Sequence, residues 1–339
     1  MKRWLIILFI VGLGFAFYGY RMVFSSNVKT PEGKDTEIFI PTGADYLTVA
    51  NKLQEGKLLG DIRAFHMVSR MMNYTHTVKP GRYVLKDGMS SRELITKLRS
   101  GDQSPVKFTF VKFRTPDQLA EHVGNKLEMD KEDFLAVLND KDFLKKHNGL
   151  TPETAMTVFI PNTYEMWWNV KPKAFFERMF SEYKKFWNEE RNAKRQKLKL
   201  NRLEVMALAS IVEEETNKND EKSKVAGVYL NRIREGMLLQ ADPTVKFAVG
   251  DFTLRRILNK HLQVDSPYNT YLYPGIPPAP ICTPSIPSID AVLNEEKHNY
   301  LYFCANIDGS GYHKFSTSLS EHNAYARQYH QMLNQRGIR

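Results

Sequence analysis

Residues Leu203 to Thr216 read LEVMALASIVEEET, an almost wholly apolar helical stretch that runs straight into three adjacent carboxylates. A helix that is apolar nearly all round has to be buried, so this segment sets the centre of whatever the chain folds into. At about 100° per residue, Glu215 projects along the line of Leu208, with Ile211 and Val212 one turn back on either side. Glu213 points to the opposite face, near Met206, and Glu214 lies between them. A carboxyl rising from an apolar wall has a raised pKa and keeps its proton, and such a group can serve as a general acid at a leaving oxygen. Glu215, whose own face is the most apolar, is the candidate. The competing reading is a polar helix end turned to water. Acids at a helix C-terminus oppose the macrodipole, so either the helix continues past Thr216 or the acids serve another purpose.

At 339 residues, 42% hydrophobic and 25% charged, the chain has the length and composition of one or two folded domains. Its net charge of +10 is uneven: Lys171 to Arg202 holds eleven Lys/Arg against four Asp/Glu. Nucleic acid, anionic lipid or an acidic polymer could meet that stretch, but a solvated helix face is the better reading, and no nucleic-acid motif accompanies it. Cys282 and Cys304 form no metal pattern and are too few for a disulfide framework; a bridge between them is possible but has no support. No metal or organic cofactor is expected.

Trp4 to Tyr20 runs seventeen residues without a charge, preceded by Lys2 and Arg3 and followed by Arg21. Its length is at the lower limit for a membrane span, and Trp4, Tyr18 and Tyr20 sit where interfacial aromatics belong. The leading cations put the N-terminus in the cytoplasm and the rest of the chain outside the inner membrane. A cleaved signal peptide, with Val23-Phe24-Ser25 as the site, is the alternative.

The chain therefore divides into an anchor (1–24), a polar linker (25–35), a small α+β module (36–101) and a larger mixed α/β domain (102–333) around the buried helix. In the module, Glu37 to Pro41 and Lys79 to Leu85 read as strands, Ala44 to Glu55 and Ile62 to Met72 as helices. Ser90 to Ser100 opens with a capping box. Such a module could grip an extended polymer or act as a spacer. Further on, Val106 to Phe113 and Phe159 to Glu165 read as strands, Glu132 to Asn148 as one helix and the basic segment as helical. Lys222 to Glu235 is an amphipathic helix. From Leu239 polar residues are set among prolines, which reads as stiff binding loops. Tyr300 to Ala305 and His313 to Thr317 form a hairpin, and Ser320 to Arg336 closes the chain as a helix.

Five motifs occur in order: SIVEEET at 210–216, LQADPTV at 239–245, SPYNTY at 266–271, GIPPAPI at 275–281 and HKFSTSLSEHN at 313–323. Together they resemble the YceG-like (MltG) endolytic murein transglycosylases. The resemblance implies a single-pass inner-membrane protein with a LysM-like module and an extracytoplasmic catalytic domain. Its substrate is the nascent glycan strand of peptidoglycan, its partners include cell-wall synthases, and its action sets where polymerisation ends. It also implies Glu215 as the catalytic acid and Glu213 in a supporting role. Gln240, Asp242 and Thr244, then Tyr268, Asn269 and Tyr271, become cleft residues that contact sugar or orient the acid. His313, Ser316 and Glu321 line or brace the cleft, and for His322 and Asn323 structural hydrogen bonding is the better reading. One departure stands out: relatives commonly carry Ile-Ala-Asn-Pro-Gly where this chain has Ile281-Cys282-Thr283-Pro284-Ser285. A lytic transglycosylase needs one acid and leaves 1,6-anhydro ends. The rivals are a muramidase-type hydrolase with Asp242 or Glu213 as base, and a non-catalytic wall-binding scaffold.

Overall fold

The computed structural model describes residues 2–254 and 256–335, so Met1 and Arg336, expected at the cytoplasmic tip and the last helix, lie outside it. The chain forms two compact units. The first comprises the residues up to Phe108 together with Gly124–Met129 and Tyr164–Lys171; the second holds the remainder.

The first unit opens with α1 (Lys2–Phe24), whose apolar side chains are exposed and which is long and apolar enough to cross a membrane. Next come β1 (Thr36–Ile40), α2 (Tyr46–Glu55), α3 (Ile62–Met71), β2 (Gly81–Leu85), α4 (Ser91–Ser100) and β3 (Val106–Thr109), which pairs with β4 (Thr163–Met166). Local signals fix these boundaries. Asp45 and Asp61 cap α2 and α3 through their carboxylates, and Ser90 with Glu93 closes the expected capping box. β1 and β2 are antiparallel, with Ile38 opposite Tyr83. Alternation turns Ile38, Ile40, Tyr83 and Leu85 onto Leu53, Phe65, Tyr74 and Leu94 in a closed core.

Two features lie beyond the expected boundaries. Residues 124–129 and 164–171 belong to this unit: Glu128 accepts hydrogen bonds from Thr42, including one of 2.6 Å from its hydroxyl. Trp168 packs edge-on against Phe39 at 5.0 Å. The stretch read as a linker is tied down at its start. Asn27 is buried, donates to Asp61 O (2.9 Å) and Ser91 Oγ (2.8 Å), and accepts from the Asp61 amide (2.6 Å). Ser26 bridges to Ser90 and Val28 to Leu59. An asparagine that satisfies both its amide groups inside a core reads in sequence as any polar linker residue.

The second unit contains α5 (Pro116–Lys126, whose last residues reach into the first unit), α6 (Lys131–Asn139), α7 (Lys141–Lys145), α8 (Pro172–Phe186), α9 (Glu189–Lys197), α10 (Arg202–Glu215), α11 (Lys222–Arg234), α12 (Asp242–Val249), α13 (Asn259–Leu262), α14 (Ile286–Leu293), the hairpin β5 (Tyr302–Ala305) and β6 (His313–Ser316), and α15 (Leu319–Gln335). The single helix expected over 132–148 is two, because Asp140 turns extended and caps α7 by accepting from the Phe143 amide at 3.0 Å. The basic segment likewise breaks at Asn188, which caps α9. Lys194 pairs with Glu190 one turn away, and Arg191 makes a two-pronged pair with Asp290 of α14. The strands expected over 106–113 and 159–165 shorten to β3 and β4. α10 is the hub, with Val205 to Val212 all buried, and α11, α12 and α14 pack on it. Asn201 and Glu204 form a capping box at its start. It ends at Glu215, where Thr216 turns extended.

Candidate active site

The end of α10 sends its three acids in three directions. Glu213 Oε2 accepts from Lys222 Nζ at 2.9 Å and from the hydroxyls of Ser285 and Ser288. Burial works to raise its pKa, but the hydroxyls and the ammonium outweigh it and hold the carboxyl below its ordinary range. Glu214 lies 3.0 Å from Lys112 and 2.8 Å from Arg114. These cations likewise overcome its burial and keep it ionised. Glu215 has no cation in contact among the described residues. The hydrogen bond it receives is from Tyr229, whose hydroxyl donates to Oε1 at 2.6 Å.

Glu215 is partly accessible where it lines a cavity of about 420 Å³, yet enough protein surrounds it that burial lifts its pKa to about 7. The Tyr229 hydrogen bond pulls the other way, and the negative charge of Asp242 adds to the rise. Tyr229 is itself pushed well above its ordinary value by burial and by Glu215, so it stays protonated and can only donate. One carboxyl of three is thus a protonatable group near neutral pH, and it is the one on the 420 Å³ cavity; Glu214 borders only a small one of about 40 Å³.

Gln240, Asp242, Tyr271 and His313 line the same cavity. The segment 239–245, expected as a loop, starts α12: Pro243 occupies the first turn, where its missing N–H costs nothing. Gln240 sits in the left-handed region (φ 51°) with its amide on Thr270 O at 3.1 Å. Asp242 accepts from the Tyr271 hydroxyl at 2.6 Å. His313 is held by Glu221, which is 5% exposed: Nδ1 lies 2.8 Å from Oε2, and the backbone amide donates to Oε1 at 2.7 Å.

The remaining expected residues lie outside the cavity wall. Thr244 is buried and bonds Ala241 O (2.7 Å) and the Thr270 hydroxyl (2.9 Å), so its polar atoms are spent on the turn. Asn269 is buried and donates to Leu262 O and Val264 O. Tyr268 packs on Phe247 at 4.7 Å. Ser316 is buried on β6 opposite Tyr302. Glu321 is exposed and accepts from Tyr325 at 2.9 Å; Asn323 is also exposed. His322, read as structural, lines the cavity, stacked on Tyr302 at 5.4 Å, and burial lowers its pKa. Cys282 and Cys304 are free thiols. Thr283 and Ser285, at the departure from the family's run, bind the Phe113 amide (2.9 Å) and Glu213.

Several wall residues were not singled out in the sequence, among them Tyr229, Arg232 and Phe303. Tyr229 and Arg232 were hidden on an amphipathic helix, where only the α10–α11 packing reveals them. Arg232 is buried, donates to the carbonyls of Leu239 (2.9 Å) and Leu301 (2.6 Å), and lies over the Tyr302 ring. It has no carboxylate partner among the described residues. Phe303 meets Tyr229 and His313 edge-on, at 5.7 and 5.2 Å. Among the described residues no group of three or more His, Cys, Asp or Glu could hold a metal. The wall therefore combines one protonatable carboxyl, a nearby carboxylate, a buried guanidinium and aromatic faces, which is the equipment of acid catalysis on a polar, ring-containing substrate.

Comparison with known proteins agrees with this chemistry. The profile of the YceG-like family matches residues 38–328. The chain is 28% identical to an endolytic murein transglycosylase of Bacillus subtilis, covering 94% of this chain and 92% of that protein. It is 26% identical to one of Streptococcus pneumoniae, covering 86% of this chain but 58% of that longer protein. A crystal structure of a yceG-like protein from Listeria monocytogenes superimposes with a TM-score of 0.59 at 28% identity, over 87% of this chain and 99% of the other.

Proposed function

Because the chain belongs to the YceG-like family, we propose that it is an endolytic murein transglycosylase with Glu215 as its acid. The observation that carries this reading is the pairing of a carboxyl whose pKa is about 7 with a cavity that also holds Asp242, Tyr271 and Arg232. Tyr229 engages Oε1, so the transferable proton sits on Oε2. That proton passes to the oxygen joining N-acetylmuramic acid to N-acetylglucosamine as the C1–O bond breaks. The Glu215 carboxylate left behind takes the proton of the muramic C6 hydroxyl, whose oxygen bonds to C1 and closes the 1,6-anhydro ring. No water is consumed and the acid is regenerated. The Asp242 carboxylate favours the positive charge that develops at the sugar ring, and Arg232 offers N–H groups to a substrate carbonyl or carboxylate.

In this reading α1 anchors the enzyme in the cytoplasmic membrane with its N-terminus inside, and the module of the first unit is LysM-like. Cleavage of nascent strands ends their elongation, which sets the enzyme beside the cell-wall synthases. The test is product mass on uncrosslinked glycan. Anhydro-ended fragments that disappear in Glu215→Gln are expected. Fragments one water heavier would make the protein a hydrolase, and full activity in that variant would remove Glu215 from the chemistry.

A further inference from the structure

The last turns of α1 and the first turn of α3 enclose a second cavity, of about 290 Å³, where the chain leaves the apolar helix. Tyr18, Arg21, Ser25, Ser26, Asp61 and Arg63 are among its walls. Tyr18, Arg21 and Ser25 recur at three- and four-residue spacing, so they share one helical line. The charges do not balance. Arg63 Nε is 3.5 Å from Asp61 Oδ1, but that oxygen already caps α3, accepting from the amides of Arg63 (2.8 Å) and Ala64 (3.4 Å). Among the described residues Arg21 has no ion pair, and the hydroxyls of Ser25 and Ser26 have no hydrogen bond. Arg92, over the Phe24 ring at 5.3 Å, adds another cation at this end of α1.

We infer that this cavity binds the phosphate of an anionic phospholipid; the inference rests on the proposed reading of α1 as a membrane span. The uncharged run from Trp4 to Tyr20 is about 25 Å long at 1.5 Å per residue, against about 30 Å of hydrocarbon. Arg21, the first charge after it, is therefore held at the depth of the headgroups, where an unpaired guanidinium draws a phosphate. Its planar fork and that of Arg63 match two phosphate oxygens, and two serine hydroxyls are available as further donors. Free phosphate has the same head chemistry. The lipid is favoured because the helix on the other side of Tyr18 presents exposed Leu13, Phe15 and Phe17, against which acyl chains can lie.

The experiment uses the full-length protein in nanodiscs of phosphatidylcholine with or without phosphatidylglycerol, counting retained lipids by native mass spectrometry. Phosphatidylglycerol should stay bound to the wild type, and its retention should fall by about an order of magnitude in Arg21→Gln/Arg63→Gln. Arg3→Gln, at the opposite end of the helix, should retain it as the wild type does. Equal retention in the double variant overturns the site. Loss of phosphatidylglycerol on adding millimolar inorganic phosphate makes free phosphate the occupant and overturns the lipid. A chain that never enters nanodiscs removes the span and the site together, whereas insertion without retention removes the site alone.

Discussion

At the scale of single residues the proposed mechanism depends on a proton kept on Glu215. Activity should fall as pH rises through about 7, where the carboxyl ionises. The Tyr229 hydrogen bond lowers that pKa and the Asp242 charge raises it. Tyr229→Phe should therefore move the descending limb of the pH–kcat/KM profile to higher pH, and Asp242→Asn should move it to lower pH. Opposite displacements are the check, since a general loss of folding would displace neither limb. Glu215→Gln should lower turnover by about a hundred- to ten-thousandfold. It should also alter stability. A carboxyl whose folded pKa lies above its unfolded value of 4.5 costs nothing while protonated and destabilises the fold as pH rises toward 7. The glutamine variant should therefore be more stable than wild type at pH 8, by about 1–3 kcal/mol, and equal to it at pH 4, as chemical denaturation would show. The sequence allowed this residue to be chosen, because an apolar face leading to an acid is visible in one dimension. The fates of Glu213 and Glu214 were not visible, since Lys222, Ser285, Lys112 and Arg114 reach them only through tertiary packing.

At the scale of elements, the site is held by contacts that tie α10, α11 and α14 together. Lys222 is 4% exposed and its ammonium pairs with Glu213 at 2.9 Å. Glu213→Ala should cost about 3–5 kcal/mol by stranding that ammonium, measured as a lowered unfolding midpoint. Glu213's folded pKa is depressed, so its contribution is present above the unfolded value and lost as pH falls through the folded one. The penalty should shrink in acid. Gly227 has a second structural role: a Cβ there would come within 2.6 Å of both Glu296 O and His298 Nε2. Those atoms lead into β5, which supplies Phe303 to the cavity wall. Gly227→Ala should therefore lower stability by about 1–3 kcal/mol and reduce activity, although it touches no substrate. A glycine inside a helical pattern gives no such warning in sequence. Most helices and the Ser90 capping box were legible, because capping and periodicity are local. The breaks at Asp140 and Asn188, the helix starting at Asp242 and the turn-building tasks of Thr244 and Asn269 were not. Each depends on where a polar side chain finds a backbone partner, and a motif marks such a residue without distinguishing a ligand contact from a brace.

At the scale of the molecule, the chain passes repeatedly between its two units, so neither is a contiguous piece. A fragment beginning at residue 102 would carry Glu128, Trp168 and Asn169 without Thr42, Phe39 and Pro80, their partners in the first unit. It should be poorly soluble when expressed alone; a soluble, folded fragment would contradict this. α1 is likewise continuous with the first unit's core, since Asn27 is bonded into that core only three residues after the helix ends. A protein hung on a loose tether is indifferent to how its membrane helix leans. With α1 as the membrane span proposed above, a thicker or thinner bilayer that changes its tilt should swing the first unit with it, and the stalk would then work as a lever that turns bilayer thickness into orientation.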